Sequence, residues 1–216
     1  MSTATGPQPT SFPQPTDFCP NPSWEVALLF PCQGDWTEAD YLALDTNRLV
    51  ELVAGKLEVL PMPSVLHQRI VDYFHRALQR FVLRQRLGEA FFAPLPVRIG
   101  KGTLREPDVI FISRDRLGKP EDKFADGADL VMEVVSPDKG SYERDYRKKR
   151  TDYAKRRIQE YWIVDPQAEQ IIVLALKGKQ YQVHGEFKPG DEATSMLLKG
   201  FAVDVTKLFA AGHKKP

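Results

Sequence analysis

Only two cysteines, Cys19 and Cys32, occur among 216 residues, too few for a disulfide framework, so a reducing cytosol is the expected setting. No apolar run approaches the roughly 18 residues that a membrane-spanning helix requires. With 42% hydrophobic and 27% charged residues the composition is that of an ordinary globular protein, and no membrane association is expected. The opening residues lack a basic segment followed by an apolar stretch, which argues against a secretory signal. Charge of one sign is lacking too: Lys+Arg 30 against Asp+Glu 29 leaves a net +1, so any surface for a polyanion must be local. Several chemistries are missing their signatures. No Gly-rich phosphate loop precedes a helix, no Cys or His cluster has zinc spacing, and no Gly-x-Ser-x-Gly elbow occurs.

What is present is unevenly distributed. Residues 1–34 hold seven of the 17 prolines, mixed with Ser, Thr and Gln, a composition that does not readily pack, and they read as a flexible tail. Residues 35–210 read as one domain, and 211–216 as a short frayed end. Within the domain Thr37 can cap a short helix carrying Tyr41, Leu42 and Leu44. Strand-like runs at 49–54 and 56–60 meet at Gly55, which can take the positive φ of a tight turn. Ser64 caps a helix to about residue 86, because Leu66, Ile70, Phe74, Leu78, Phe81 and Val82 recur at spacings of three or four, with Gly88 as its stop. Strands follow at 89–99, 107–112 and 129–136, a helix at 139–157, and further strands at 160–164, 170–176 and 180–184. The order is mixed α/β: a mixed sheet flanked by helices.

Two carboxylates stand where carboxylates are expensive. Asp108 opens the strand Val109-Ile110-Phe111-Ile112, and Glu133 sits inside Leu130-Val131-Met132-Glu133-Val134-Val135. A lone buried carboxylate costs several kcal/mol unless a cation, a proton or a donor compensates. If the two strands are neighbours, both acids can converge on one hard divalent cation, and a site of carboxylates and water suits magnesium or manganese. Alternatively, Asp108 caps a turn after Pro107 and Glu133 pairs with an arginine. A third residue bears on the choice. At 100° per residue Tyr142, Tyr146, Lys149 and Tyr153 share one stripe of the 139–157 helix, which aims Lys149 back at Glu133 and points Lys148 and Arg150 away. The other outcome is that Lys149 snorkels over the tyrosines to solvent.

These residues carry a resemblance. Glu106-Pro107-Asp108, then Glu133-Val134-Val135-Ser136-Pro137, then Asp145, Lys149 and Tyr153, and finally Glu160-Tyr161-Trp162-Ile163-Val164-Asp165-Pro166 resemble the Uma-two family within the PD-(D/E)XK restriction-endonuclease-like superfamily. Glu51-Leu52-Val53-Ala54-Gly55 resembles that family's early hairpin, and His67 matches the histidine near the start of its next helix. The resemblance runs from about Trp36 to Phe209. It implies a restriction-endonuclease-like α/β core and a divalent metal held by Asp108 and Glu133. The superfamily pattern places its lysine two positions beyond the second acid, where this chain has Val135; Lys149 occupies the slot to which the resembling family moves the charge.

The expected activity is therefore metal-dependent (Mg2+ or Mn2+) hydrolysis of nucleic-acid phosphodiester bonds, with DNA the expected substrate. Asp108 and Glu133, helped by the Val134 carbonyl, would hold the metal, and Lys149 would orient water and offset charge. Glu51 shares its strand face with Leu49 and Val53; it either completes the site or pairs with an arginine at an edge. His67 either contacts phosphate or the metal's ligands, or satisfies local hydrogen bonds, and Asp145 and Tyr153 join it as supporting residues. Arg144, Arg147, Lys148 and Arg150 make the 139–157 helix the most basic part of the chain, which could steer phosphates or be a plain solvated face. A homodimer would suit a fold that often cuts both strands. The alternative to an enzyme is a nucleic-acid-binding or interaction domain that keeps the fold without turnover. Deletion of residues 1–22 is expected to leave the melting temperature unchanged, because that segment offers little apolar surface; a fall of several degrees would show that it docks.

Overall fold

The computed structural model describes residues 30–46, 48–138 and 140–213, so most of the proline-rich segment lies outside the described residues. From Gln33 onward the chain forms one unit. Thr37 caps helix α1 (Glu38–Leu42): its hydroxyl accepts from the Asp40 N–H while the Asp40 carboxylate accepts from the Thr37 N–H. This reciprocal pair satisfies donors that a helix start otherwise leaves open. Strands β1 (Val50–Val53) and β2 (Lys56–Val59) form the expected hairpin, with Gly55 at φ +76°. Helix α2 (Val65–Arg84) starts at Ser64, whose hydroxyl accepts from the His67 N–H, and it buries Ile70, Val71, Phe74, Leu78 and Val82.

The reading of 89–99 as a single strand is corrected. Strand β3 ends at Phe92 (Gly88–Phe92) and β4 (Val97–Gly100) belongs to a different sheet. Pro94 and Pro96, having no N–H to donate, interrupt the ladder between them. The small strand β5 (Thr103–Arg105) then pairs with both β4 and β1, completing a four-stranded sheet in the order β2-β1-β5-β4. The large sheet has six strands in the order β10-β9-β8-β7-β6-β3, adding β6 (Val109–Ser113), β7 (Leu130–Val134), β8 (Glu160–Asp165), β9 (Gln170–Lys177) and β10 (Gln180–Phe187). All its pairings are antiparallel except β7 with β8.

Both faces of that sheet are covered, as the unbroken apolar runs of β6 and β7 require. Val109, Phe111, Leu130, Met132 and Trp162 pack with α2 and with the later elements β12 (Ala202–Asp204) and α4 (Val205–Gly212). Ile110, Ile112, Val131, Val135, Tyr161 and Ile163 pack on the other side with Tyr153 and Ala154 of α3 (Lys149–Arg156). Strand β11 (Glu192–Thr194) pairs with β12; neither strand is apparent from the sequence, nor is α4, which runs two residues into the stretch expected to fray. Glu160 fastens this region to the sheet. Its carboxylate accepts from Trp162 Nε1 at 2.7 Å, Ser195 Oγ at 2.7 Å, Met196 N at 2.6 Å and Leu197 N at 2.9 Å. A buried acid with four donors is fully compensated, which makes Glu160 a fastening of the fold.

Gly88 does not act as the helix stop. The left-handed residue after α2 is Arg86, at φ +56°, and Gly88 opens β3 at φ +154°, where a Cβ would fall 2.1 Å from the Ile112 carbonyl oxygen. Gly178, at φ +63° with no atom of the described residues within 4 Å of its would-be Cβ, tests the difference. In urea denaturation, Gly88→Ala is expected to cost ~3 kcal/mol or more and Gly178→Ala about 1 kcal/mol; equal costs would mean that the backbone at Gly88 moves aside freely.

Candidate functional site

The register of β6 and β7 sets Val109 opposite Met132, which brings Asp108, one residue before β6, level with Glu133. Residues level on adjoining antiparallel strands point to the same face, here the face covered by α3. The Val134 N–H donates to Asp108 Oδ2 at 2.7 Å, fixing the acid at the strand's end. His67, in the first turn of α2, reaches the same oxygen at 3.2 Å through Nε2, while its Nδ1 is buried with no hydrogen-bond partner among the described residues. Burial opposes charge on this imidazole, but the Asp108 carboxylate more than offsets it and raises the histidine's pKa.

Lys149 is buried. Its Nζ lies 2.9 Å from Glu133 Oε1, 3.4 Å from Glu51 Oε1 and 3.7 Å from Asp145 Oδ1. Burial works against this charge, yet the three carboxylates outweigh it and hold the ammonium above the ordinary lysine pKa, so it is a fixed cation and a hydrogen-bond donor. Glu133 also accepts from the Tyr153 hydroxyl at 2.5 Å. Burial raises its pKa, Lys149 opposes that, and Asp108, Asp145 and Glu51 add to it, leaving the carboxyl pushed up to about 8. Burial and the neighbouring acids together thus outweigh the Lys149 ammonium at Glu133.

The helical phase differs from that expected. Residues 143–148 form a π-helical turn running into α3. The wider turn takes up one extra residue, so the inward positions are Ser141, Asp145, Lys149 and Tyr153, all buried, whereas Tyr142 is 57% exposed. Tyr142 therefore leaves the inward stripe, and Lys149 keeps its place in it because it lies past the wide turn. Tyr146 is half-buried, with its hydroxyl donating to Asp165 at 3.0 Å.

Glu51 is fully buried, and its partner is Arg105, a residue to which the sequence reading gives no role. The arginine, 1% exposed, donates from Nη1 to Glu51 at 2.7 Å and to Glu58 at 3.1 Å, and from Nη2 to Asp152 at 2.8 Å. Glu51 also accepts from the Glu106 N–H at 2.9 Å. Lys149, Arg105 and this amide draw its pKa below the ordinary glutamate value even though burial acts the other way. The only hint in the sequence is an arginine in the strand-like triplet before Glu106-Pro107-Asp108, which is weak.

His67, Glu106, Asp108, Glu133, Val134, Arg144, Asp145 and Lys149 border a cavity of about 220 Å³ that residues 60–63 and Pro94 also line. Arg144, read as an outer nucleic-acid contact, turns into it, with Nε 3.2 Å from Asp145 Oδ1 and Nη2 2.8 Å from Ser141 Oγ. Arg150 donates to the Tyr181 carbonyl at 3.1 Å. Arg147 and Lys148 are exposed, and Arg147 lies 3.3 Å from Glu143.

The family model described as "Putative restriction endonuclease", Uma2, matches residues 38–206. The chain belongs to the Uma2 family. Its fold is that of a solved relative, the crystal structure of a "putative nuclease belonging to DUF820" from Anabaena variabilis ATCC 29413, which it matches with a TM-score of 0.67 at 21% identity over 82% of this chain and 98% of the other. No curated protein matches. Among the described residues no helix is long and apolar enough to cross a membrane, and no three His, Cys, Asp or Glu side chains are gathered tightly enough to ligate one ion. At this cavity Asp108 and Glu133, with backbone oxygen beside them, are the groups that could hold an ion, and two carboxylates are the kind of donor set that magnesium takes while keeping several waters.

Arg105→Ala is expected to lower the urea-denaturation stability by about 3–5 kcal/mol, because it strips a buried charge of its partner. Arg98→Ala, which removes a half-exposed pair with Glu38, should cost about 1 kcal/mol or less. A small effect at Arg105 would mean that Lys149 alone suffices for Glu51.

Proposed function

We propose that this protein is a divalent-metal-dependent nuclease that hydrolyses phosphodiester bonds, with DNA as its substrate. The observation that carries the reading is the buried Lys149 ammonium, delivered by a helix to within 2.9 Å of Glu133 on the strand beside Asp108. Asp108, Glu133 and the Val134 carbonyl would hold magnesium or manganese. When bound, such an ion polarises a phosphate oxygen and lowers the pKa of water.

The chain's own residues supply the rest. Val134 N–H and His67 fix one oxygen of Asp108, leaving the carboxylate oriented by the fold rather than by substrate. Lys149, held protonated, donates to the attacking water or to a phosphate oxygen and offsets negative charge as it grows in the transition state. The Tyr153 hydroxyl and Lys149 both address Oε1 of Glu133 and so set its rotamer. Arg144, at the cavity wall, would take a second phosphate oxygen, and the exposed Arg147 and Lys148 would add sequence-independent attraction for the backbone. The rival is a binding module on the same fold, and plasmid nicking decides between them. Nicking should require magnesium or manganese, vanish with chelator, and be abolished by Lys149→Ala; Lys148→Ala should weaken affinity only. Binding without any nicking in either metal favours the rival.

Melts give a readout that needs no substrate. Glu133→Gln retains an oxygen for Tyr153, and Lys149 keeps Glu51 and Asp145 nearby, so the chelated variant should be at least as stable as the parent. Magnesium should raise the melting temperature of the parent by mass action and do little for the variant.

The pH response follows from the same acid. Folding lifts the Glu133 pKa from the ordinary 4.5 to about 8, so between these values the folded chain binds a proton that the unfolded chain releases. Its contribution to stability is present below about pH 4.5 and is lost as pH rises through about 8. Chelated parent should therefore lose about 1 kcal/mol or more relative to Glu133→Gln between pH 5 and pH 8. Parallel curves would remove the acid crowding on which the metal reading rests.

A further inference from the structure

Tyr142 has no role in the core or in the cavity, yet it is held in a definite place. Its ring is stacked on that of Tyr146 with centroids 4.3 Å apart and planes 19° from parallel, while the residue remains 57% exposed. The inner ring is itself fixed, because the Tyr146 hydroxyl donates to Asp165 Oδ2 at 3.0 Å. An isolated exposed tyrosine needs no explanation. A ring laid flat on an anchored second ring differs, because its position is already set before anything binds and little rotamer freedom remains to be lost.

Its surroundings identify what would lie on it. The π-helical turn that follows Tyr142 sends Arg144 and Asp145 into the cavity and leaves Arg147 and Lys148 in solvent. Within this one turn the chain thus offers an aromatic face, cations on the outside and the wall of the candidate site. Aromatic faces beside cations that track a phosphate backbone are how proteins take single strands, since every base has a π-face. A base inside a duplex cannot use such a face, because both of its own are covered by neighbours.

We propose that Tyr142, backed by Tyr146, is a stacking platform for an unpaired nucleobase next to the phosphate held in the cavity, so that the preferred substrate is single-stranded or locally unpaired nucleic acid. This deepens the nuclease reading and rests on it for the position of the phosphate; the stacking itself is measurable without turnover. Oligonucleotides carrying one 2-aminopurine report stacking by fluorescence quenching. The full-length protein is titrated with such a single strand, and a relaxed, covalently closed duplex circle, which has no unpaired loops, serves as competitor.

The single strand should be quenched and should bind at least tenfold more tightly than the closed duplex. Tyr142→Ala should lower that preference about tenfold, and Tyr142→Phe, which keeps the ring, should retain it. Equal affinity for both forms in the parent, or a preference untouched by Tyr142→Ala, overturns the platform whether or not plasmid is nicked. Nicking lost with Lys149→Ala alongside such a result leaves the nuclease reading standing alone. Quenching and preference as described, without nicking in magnesium or manganese, would keep the platform and remove the nuclease reading. If a proline-rich peptide binds through Tyr142 and the oligonucleotides do not, the occupant is protein and the inference fails.

Discussion

The Lys149 ammonium is buried in a place from which an isolated cation would be expelled, and it is retained because carboxylates from three elements surround it: Glu133 of the large sheet, Glu51 of the small sheet and Asp145 of the helical turn before it. Taking an ion pair out of water costs several kcal/mol per ion, which only close, well-hydrogen-bonded partners offset. Arg105 shares that burden by holding the other oxygen of Glu51 and linking it to Asp152 of α3. The two sheets and the helix are thus tied through charges rather than through apolar contact alone. Their relative placement is the geometry of the candidate site itself.

That arrangement leaves an imbalance that the protein carries. Burial holds the Glu133 carboxyl upward, Lys149 opposes this, and Asp108, Asp145 and Glu51 add to it. A protein selected for stability alone would do better with apolar side chains here, since replacing buried ion clusters by packed hydrocarbon is often neutral or stabilising. Strain of this kind gathers at functional sites, where a ligand can relieve it. Glu160 shows the contrast within the same chain. Equally buried, it accepts four hydrogen bonds and faces no such crowd, so it fastens the fold and leaves nothing for a ligand to satisfy.

Much of this was readable from residue order, for identifiable reasons. The periodicity of α2 is strong because one face packs on a sheet along its whole length, and β6 and β7 announce themselves as apolar runs because both their faces are covered. The acids Asp108 and Glu133 stand out against that background for the same cause. The helix after Glu133 is less legible: a π-helical turn breaks the 100° rule without any sequence mark, so the 100° reading turns Tyr142 inward and leaves out Ser141 and Asp145. Arg105 was invisible because its partners Glu51, Glu58 and Asp152 are remote in sequence, and no local pattern encodes a contact between distant elements. Strands β11 and β12 are three residues each, too short for alternation to register.

The route by which the cation reaches Glu133 has a consequence for how the site is held. In the pattern that the chain resembles, a lysine two residues beyond the second acid would share its strand and its face, and the strand's own geometry would fix their separation. Here that place is Val135, buried among the residues that pack under α3. Lys149 arrives instead from the helix, so its distance to Glu133 depends on how α3 seats on the sheet. Tyr153, Ala154 and Ile158 provide that seat, and the wide turn before Lys149 lets Asp145 join it on the inward side. With Val135 in that place the strand position adds to the core, while the charge on the helix is answerable to tertiary packing. A helix that shifts would move ammonium, Tyr153 hydroxyl and Asp145 together against a stationary pair, Asp108 and Glu133, which the β6–β7 register keeps in place.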